Sequence, residues 1–298
     1  MHIVLVDTSR VVLKMIAAML EPNGHTVSAF TDSAEALDYV ENTPSVRVVI
    51  TSLEVRPLGG LELCWSARLL AEASRPLYVI TMSSAHSARN LAEALDSGAD
   101  DFIEKPPGPE ELHARLRAAE RLTTMQSELI RLAETDSLTG LLNRRAFLQK
   151  SRDAADRVGS HGRMSAILLD IDHFKRINDE YGHDVGDAAI QAVCRELAVE
   201  GIVGRLGGEE FGIILPHRSG SDAEAVATRL RRAVETLRIR GGRMPIRVTC
   251  SFGVSEWMES DTVEGLIKRA DIALYEAKTT GRNRVVSATS DLLLARAG

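Results

Sequence analysis

The stretch 207–211 of this chain reads Gly-Gly-Glu-Glu-Phe, so the carboxylates of Glu209 and Glu210 directly follow a pair of glycines. Apolar residues at 202–203 and 213–215 predict two strands joined as a β-hairpin, with glycines that accept the positive φ of a tight turn. Acidic side chains beside glycines could hold a metal ion against the phosphate groups of a ligand. For this stretch alone, the alternative is a solvated acidic turn.

A second pair of carboxylates, Asp170 and Asp172, follows an apolar run at 164–169 that predicts a buried strand. Residues two apart on a strand point the same way, so this pair could hold a hard cation against a substrate's phosphates. Lys175 and the free backbone N–H groups of the following turn suit a phosphate. The sequence has no glycine-rich loop ending in Gly-Lys-Ser or Gly-Lys-Thr, so any phosphate binding must use another device.

The composition is typical of a globular protein with room for two domains: 298 residues, 44% hydrophobic and 26% charged. No apolar run approaches the length of a membrane span and the N-terminus lacks a signal peptide, which predicts a cytoplasmic protein with no membrane partner. Residues 1–135 carry 12 basic and 19 acidic side chains, whereas residues 136–298 carry 24 and 23. The acidic first half argues against a nucleic-acid partner, while the second half has enough cationic side chains to bind a nucleotide triphosphate.

Strands alternate with helices along the first half of the chain. Amphipathic patterns predict helices between the strands and after Pro109, and apolar runs predict strands at 2–6, 26–30, 46–51, 77–82 and 101–103. This alternation predicts an α/β domain with a flavodoxin-like, doubly wound parallel sheet. Any ligand site is then expected at the carboxyl ends of the strands.

Residues 1–120 resemble the receiver domain of bacterial response regulators. The motifs that carry the resemblance are Asp-Thr-Ser-Arg at 7–10, Gly-Ala-Asp-Asp-Phe at 98–102 and Lys-Pro at 105–106. The resemblance implies a phosphorylated aspartate at the end of the third strand, where this chain has Ser52. It also implies that the family's magnesium-binding acid pair is reduced to Asp7, and that Ser83 is the hydroxyl residue of the fourth strand. Lys105 occupies the position that contacts the phosphoryl group in the family.

A serine at position 52 changes the chemistry of this site. A serine hydroxyl is neutral, ligates magnesium weakly, and has no adjacent general base here. We therefore predict a degenerate receiver that does not take phosphate by the usual route. For Lys105, the favoured interpretation is a lysine that caps the strand ends beside Asp7 rather than a phosphoryl contact.

The segment 109–135 is predicted to connect two domains. It contains no glycine, and its apolar residues recur at steps of three or four: Leu112, Leu116, Ala119, Leu122, Met125, Leu129 and Leu132. This spacing predicts an amphipathic helix with a near-heptad stripe. A parallel contact between two such helices would make a homodimer through the receiver-like domain and the connecting helix. The alternative is a single helix packed on its own domain.

Residues 136–287 resemble the GGDEF domain of diguanylate cyclases, which condense two GTP molecules into cyclic di-GMP. Besides the signature at 207–211, matching blocks lie at 136–145, 170–175, 178–179, 182–183, 186–187, 251–254, 270–278 and 281–283. The resemblance implies a nucleotidyl-cyclase-like α/β sandwich over residues 136–298. It also implies an enzyme that acts as a dimer, with GTP as its substrate and Mg²⁺ (or Mn²⁺) as its cofactor.

The resemblance further implies which residues carry the reaction. Asp170, Glu209 and the carbonyl of Ile171 would bind the metal ion. Glu210 would help a second metal or favour deprotonation of the ribose 3′-hydroxyl, and Lys175 would add a positive charge at the phosphates. For Asp172, pairing with a basic neighbour and support of a metal ligand remain alternatives.

A further set of residues is implied to bind the substrate: Phe174, Lys175, Asn178, Asp187, Gly207, Gly208, Lys278 and Arg282. Asn178 and Asp187 would read the edge of guanine, and the two glycines would leave room for the nucleotide. Backbone N–H groups and cationic side chains of the others would bind phosphates. Because Lys278 and Arg282 are four residues apart at a helix end, they are predicted on one face.

One departure from the family concerns regulation. Many members carry an Arg-x-x-Asp site that ends five residues before the signature, where the product binds and inhibits. Here residues 198–201 read Ala-Val-Glu-Gly, so we predict no strong product inhibition through this site. For the protein as a whole, the alternative to an active cyclase is a non-catalytic GTP-binding sensor or interaction module.

Overall fold

The structure is a computed structural model that describes residues 1–72, 75–84, 88–159, 162–197, 201–241 and 244–289. The chain divides into two compact units, Met1–Arg131 and Leu132–Gly298. No helix in the described ranges has both the length and the apolar character needed to cross a membrane.

The N-terminal unit is a parallel five-stranded sheet with helices on both faces. Its elements are β1 (His2–Val6), α1 (Arg10–Leu20), β2 (Thr26–Phe30), α2 (Ser33–Asn42), β3 (Val46–Ser52), α3 (Gly60–Glu72), β4 (Tyr78–Ser83), α4 (Ala88–Asp96), β5 (Asp101–Glu104) and α5 (Pro109–Glu134). The strand order is β2-β1-β3-β4-β5, and every neighbouring pair is parallel. The predicted doubly wound sheet is therefore confirmed.

Side chains that alternate in direction along the central strands fill a core on each face of this sheet. Ile3 and Leu5 of β1 pack in a cluster with residues of α1 and α5, whereas Val4 and Val6 pack in a second cluster with residues of α2 and α3. Successive strand residues point to opposite faces, so one apolar run supplies both cores. The carboxyl ends of β1, β3 and β4 then lie at one edge of the sheet, as parallel strands require.

Helix α5 changes character along its length. Leu112, Leu116 and Ala119 are buried in the core of the N-terminal unit. From its middle onward the apolar side chains are exposed: Leu122 by 52% and Met125 and Leu129 by 61% each. The first half of the helix thus packs on its own domain, and the second half presents an apolar stripe to solvent.

The C-terminal unit is built on a six-stranded sheet. Its elements are β6 (Leu142–Asn143), α6 (Arg144–Val158), β7 (Met164–Ile171), α7 (Phe174–Tyr181), α8 (His183–Glu196), β8 (Ile202–Arg205), β9 (Glu210–Pro216), α9 (Gly220–Thr236), β10 (Ile239–Gly241), β11 (Met244–Ile246), β12 (Cys250–Glu256), α10 (Val263–Thr279) and β13 (Val285–Ser287). The order is β13-β12-β7-β9-β8-β6, and β10 and β11 form a separate hairpin. β7 is antiparallel to both β9 and β12.

Strand β7 is the centre of this unit, since all eight of its residues are buried. Its alternating side chains again supply two cores, one against α8 and α9 and the other against α6 and α10. Helix α10 lies unusually close to β12, because a Cβ on Gly253 would be 2.1 Å from the carbonyl oxygen of Ala270. This backbone contact fixes the position of α10, whose last turn carries Lys278.

Candidate active site

The glycine-acid stretch forms a hairpin turn between β8 and β9, as predicted. The strands are antiparallel with Arg205 opposite Phe211, and the amide of Leu206 donates to the carbonyl of Glu210 at 2.8 Å. The reason given for the glycines was wrong, because neither Gly207 nor Gly208 adopts a positive φ. Space explains only the first glycine within the chain, because a Cβ on Gly207 would lie 2.9 Å from Glu210 Oε2, whereas one on Gly208 would meet nothing within 4 Å.

Arg205 braces this turn, a role that sequence reasoning missed. Its guanidinium donates to the carbonyls of Gly207 and Gly208, the shortest bond being 2.7 Å to Gly208. The same group donates to both carboxylate oxygens of Asp136, at 3.0 and 3.1 Å. The signal was present in the sequence, because Asp136 opens a motif block and Arg205 stands two residues before the signature. This network holds the turn that carries Glu209 in one conformation.

Asp170 and Glu210 are direct cross-strand partners on β7 and β9. Residues in such a pair share a sheet face, with Cβ atoms about 5 Å apart. The amide of Ile171 also donates to the carbonyl of Glu209 at 3.3 Å, which ties the turn to the end of β7. Two strands and one turn thereby bring Asp170, Glu209 and Glu210 to one edge of the sheet.

Lys278 approaches this acidic group from α10. Its ammonium lies 2.7 Å from Asp170 Oδ2, and the Asp170 side chain is only 8% exposed. Burial raises the pKa of Asp170 to about 6, and the negative charges of Glu209 and Glu210 contribute to this rise. The hydrogen bond and the positive charge of Lys278 lower the pKa but do not offset the burial. A cation at this edge would relieve the repulsion between the carboxylates.

The second predicted cation at the phosphates, Arg282, does not share a helix face with Lys278. Helix α10 ends at Thr279, and Gly281, Arg282 and Asn283 all have positive φ values, 127°, 61° and 46°. These residues turn the chain into β13, so the four-residue spacing no longer places the two cations side by side. Arg282 lies exposed in this loop.

Polar groups of β12, of the residue before it and of the loop before β13 hold the Asp172 carboxylate. Its carboxylate accepts from Ser251 Oγ at 2.6 Å, from Thr249 Oγ1 at 2.7 Å and from the Asn283 amide at 3.0 Å. Of the two alternatives for Asp172, pairing with a basic neighbour is not among these contacts, whereas support of a metal ligand remains untested. Asp172 therefore joins β12 and the loop before β13 to the end of β7.

The N-terminus of α7 leaves backbone donors open. The helix begins at Phe174 after His173, which has a φ of 56° and provides no side-chain cap. Among the described residues, the amides of Phe174 and Lys175 have no backbone acceptor, whereas the next two amides donate to the carbonyl of His173. Open amides at a helix N-terminus attract anions, which agrees with the predicted phosphate contact.

Asn178 presents an unused acceptor one turn further along α7. Its Oδ1 atom is buried and has no hydrogen-bond partner in the described part of the chain. Gly186 of α8 makes the space for it, since a Cβ there would be 1.9 Å from Oδ1. Asp187 follows on α8 and is exposed. A buried acceptor without a partner is costly, and a donor from a ligand would satisfy it.

Comparison with known proteins identifies the family. Residues 133–284, just over half of the chain, match the family described as diguanylate cyclase, GGDEF domain. The chain belongs to the GGDEF family. Residues 3–117 match the response regulator receiver domain.

Among curated relatives, this GGDEF chain is 36% identical over 256 residues to the response regulator PleD of Caulobacter vibrioides, which covers 81% of the chain and 56% of the relative. It is 43% identical over 183 residues to the diguanylate cyclase VdcA of Vibrio cholerae, covering 59% of the chain and 53% of the relative. The chain thus spans about half the length of the curated relatives it matches.

Solved structures of GGDEF domains are also similar to this chain. The GGDEF domain of DgcB from Caulobacter crescentus in complex with c-di-GMP has a TM-score of 0.51 and 36% identity, covering 53% of this chain and 94% of that one. A structure of the coiled coil and GGDEF domain of the same protein gives a TM-score of 0.54 and 34% identity, with coverage of 59% and 99%.

The donor set of this GGDEF unit fits a hard divalent cation. Asp170, Glu209 and Glu210 offer carboxylate oxygens, the ligand type that Mg²⁺ and Mn²⁺ prefer. Within the described residues no three acidic, histidine or cysteine side chains are already arranged as a metal site, and Asp170 is paired with Lys278. Binding of a cation would therefore have to compete with the Lys278 ammonium for Asp170.

The raised pKa of Asp170 predicts a pH dependence of stability. The pKa of its carboxyl is 3.8 in the unfolded chain and about 6 in the folded chain. Once the carboxyl is ionised in both states, this difference lowers the free energy of unfolding by up to about 3 kcal/mol. We expect the free energy of unfolding to fall as the pH rises from about 4 to about 6, relative to that of Asp170→Asn. Urea unfolding of both proteins in EDTA across this range measures the difference. A difference that does not change with pH would contradict the prediction.

The receiver motif residues also converge. Asp7, Ser52 and Ser83 are buried at the carboxyl ends of β1, β3 and β4. Lys105 follows β5, and its ammonium lies 2.6 Å from Asp7 Oδ2 and donates to Ser52 Oγ at 2.5 Å. This ion pair agrees with the interpretation that Lys105 caps the strand ends beside Asp7.

Proposed function

We propose that this protein is a diguanylate cyclase, which joins two GTP molecules into cyclic di-GMP and releases two pyrophosphates. The observation that carries the proposal is the acidic edge formed by Asp170, Glu209 and Glu210, with the Lys278 ammonium on Asp170. The names of its relatives support the same activity, because several are diguanylate cyclases.

In the proposed mechanism, Asp170, Glu209 and the carbonyl of Ile171 would hold Mg²⁺ (or Mn²⁺), which would supply positive charge at the phosphates. The amides of Phe174 and Lys175 bind phosphate oxygens, and Lys175, Lys278 and Arg282 add positive charge. The 3′-hydroxyl oxygen of one GTP attacks the α-phosphorus of the other. Glu210 accepts the hydroxyl proton as the bond to the β-phosphate oxygen breaks and pyrophosphate leaves.

Guanine is proposed to be read by Asn178 and Asp187. The buried Oδ1 of Asn178 accepts a hydrogen bond from the base, and the exposed Asp187 carboxylate accepts from N1–H and the 2-amino group. Adenine has no donors at these positions. Gly207 and Gly208 leave open the surface beside the turn for the nucleotide.

Each GGDEF unit would hold one GTP, so the reaction requires two units face to face. We propose that a second copy of the chain covers the exposed stripe of α5, where Leu122, Met125 and Leu129 each leave half or more of their side chain in solvent. A homodimer through the receiver-like domain and this helix would bring the two half-sites together.

The decisive experiment is incubation of the full chain with GTP and Mg²⁺, followed by mass spectrometry of the products. We expect a cyclic dinucleotide and one pyrophosphate for each GTP consumed. If GTP binds but no product forms at high protein concentration, the chain is a non-catalytic GTP-binding module instead.

Phosphorylation of the receiver-like unit is not expected to control this activity, because Ser52 stands in place of the acceptor aspartate. Incubation with acetyl phosphate should leave the intact mass of the protein unchanged. A stable gain of one phosphoryl group mapped to residues 1–120 would contradict this prediction.

Product inhibition is expected to be weak. The residues in question, 198–201, lack both the arginine and the aspartate, and 198–200 lie outside the described residues. A dose series of cyclic di-GMP should leave turnover little changed at low micromolar product. Arrest of turnover in that range, with protection from exchange at 198–201, would show that the site works without these side chains.

A further inference from the structure

Glu54, which follows β3, fills the pocket at the carboxyl ends of the receiver strands. Ser52 Oγ donates to its Oε2 atom at 2.6 Å, and Lys105 Nζ donates to the same atom at 3.2 Å. Ser83 Oγ donates to Oε1 at 3.2 Å. One carboxylate thereby connects side chains at or after the ends of β3, β4 and β5.

The local backbone fixes this arrangement. The Glu54 amide donates to Ser52 Oγ at 3.1 Å, so the loop after β3 folds back over the serine. Lys105 is 14% exposed and sits between two carboxylates, those of the buried Asp7 and of the half-exposed Glu54. Burial alone would raise the pKa of Glu54, but the hydrogen bonds from Ser52, Lys105 and Ser83 and the Lys105 charge outweigh it, so its pKa is lowered. The carboxylate is therefore held in its charged form.

The partners of Glu54 are the groups that would surround a phosphoryl group in a receiver domain. An aspartate at position 52 would place an acyl phosphate within reach of the hydroxyl at 83 and the ammonium at 105. Ser52 has no carboxylate with which to form an acyl phosphate. The expectation that it lacks an adjacent base was wrong, because the Glu54 carboxylate accepts a hydrogen bond from its hydroxyl at 2.6 Å. Glu54 also brings an anion to the hydroxyl of Ser83 and the ammonium of Lys105. A carboxylate and a phosphoryl group share acceptor oxygens and negative charge, so the same donors can satisfy either.

We propose that Glu54 is a built-in anionic ligand of this pocket, which takes the place of the phosphoryl group and orders the carboxyl ends of β3, β4 and β5 without modification. The proposal concerns the N-terminal unit and goes beyond the cyclase activity. It accounts for the retention of Ser83 and Lys105 in a pocket that has lost its acceptor, because both still bind an anion.

Removal of the Glu54 carboxylate should convert the pocket into a site for a free anion. In the full chain, we expect Glu54→Ala to bind inorganic phosphate at least about tenfold more tightly than the unaltered protein, because charge-assisted hydrogen bonds from Lys105 become available. Isothermal titration calorimetry with phosphate measures the affinity. Glu41→Ala, which removes an exposed carboxylate of α2 in the same unit, is the matched control and should bind no better than the unaltered protein.

Hydrogen exchange provides a readout that is independent of affinity. In Glu54→Ala, amides at the ends of β3, β4 and β5 should exchange faster than in Glu41→Ala, and phosphate should reverse the change. Adding Lys105→Ala to Glu54→Ala should remove both the gain in phosphate binding and the reversal of exchange by phosphate. The proposal is overturned if the unaltered protein binds phosphate as tightly as Glu54→Ala, or if Glu54→Ala behaves like Glu41→Ala in both measurements.

Discussion

Replacement of Glu209 by glutamine is expected to lower the rate of cyclic di-GMP formation at least about 100-fold if Glu209 binds the metal ion as proposed. Residues that only support a metal ligand already contribute about 10- to 100-fold, and a ligand should contribute at least as much. The Glu209 carbonyl accepts from the Ile171 amide, and this backbone bond survives the substitution. Arg205 continues to hold the turn through the carbonyls of Gly207 and Gly208. The change therefore removes a charge from the acidic edge and leaves the hairpin intact.

Steady-state turnover at saturating GTP and Mg²⁺ measures this effect, and circular dichroism checks the fold. Glu259→Gln is the matched control, since Glu259 is an exposed glutamate that follows β12 near the start of β7, at the opposite end of that strand from Asp170, and the turnover of this variant should be unchanged. If the Glu209→Gln protein keeps more than half of the normal rate, Glu209 is not a ligand in the proposed metal site.

The second large effect is expected from Gly186→Ala, which adds one methyl group to α8. That methyl carbon would lie 1.9 Å from Asn178 Oδ1, so the Asn178 side chain must leave its position. If this oxygen accepts from guanine, GTP affinity should fall roughly 10- to 100-fold, the cost of an unmade hydrogen bond at a buried group. Alanine is a better helix former than glycine by about 1 kcal/mol, so the helix backbone itself is not weakened.

Equilibrium binding of GTP and of a non-hydrolysable ATP analogue separates this effect from a general loss of phosphate binding. Asn178→Ala should reproduce the defect, and the double variant should be no worse than Asn178→Ala, because both changes remove the same contact. Gly108→Ala, whose Cβ would meet nothing within 4 Å, serves as the matched glycine control. Normal GTP binding by Gly186→Ala would exclude Asn178 from guanine recognition.

Much of the fold could be predicted because hydrophobic periodicity is a local signal. The strand at Thr26–Phe30 was placed with its observed bounds, and the hairpin of β8 and β9 was identified from its apolar flanks. Arg282 was misplaced because the end of α10 is set by three successive positive φ values, which the spacing of cationic residues does not report.

The parts of the sites that could not be predicted depend on contacts between distant residues. The partners of Asp172 come from Thr249, Ser251 and Asn283, which the sheet brings together from 77 to 111 residues away. Glu54 is close to Ser52 in sequence, yet its role follows from Ser83 and Lys105, which β4 and β5 supply. Only the register of the strands shows which of these side chains meet.

The uncapped start of α7 also links substrate to stability. His173 gives the helix no side-chain cap, and a missing cap costs a helix about 1 kcal/mol. A nucleotide phosphate seated on the amides of Phe174 and Lys175 would supply that cap from outside the chain. Bound GTP would then stabilise the folded GGDEF unit, and its midpoint of thermal unfolding would rise with the concentration of GTP.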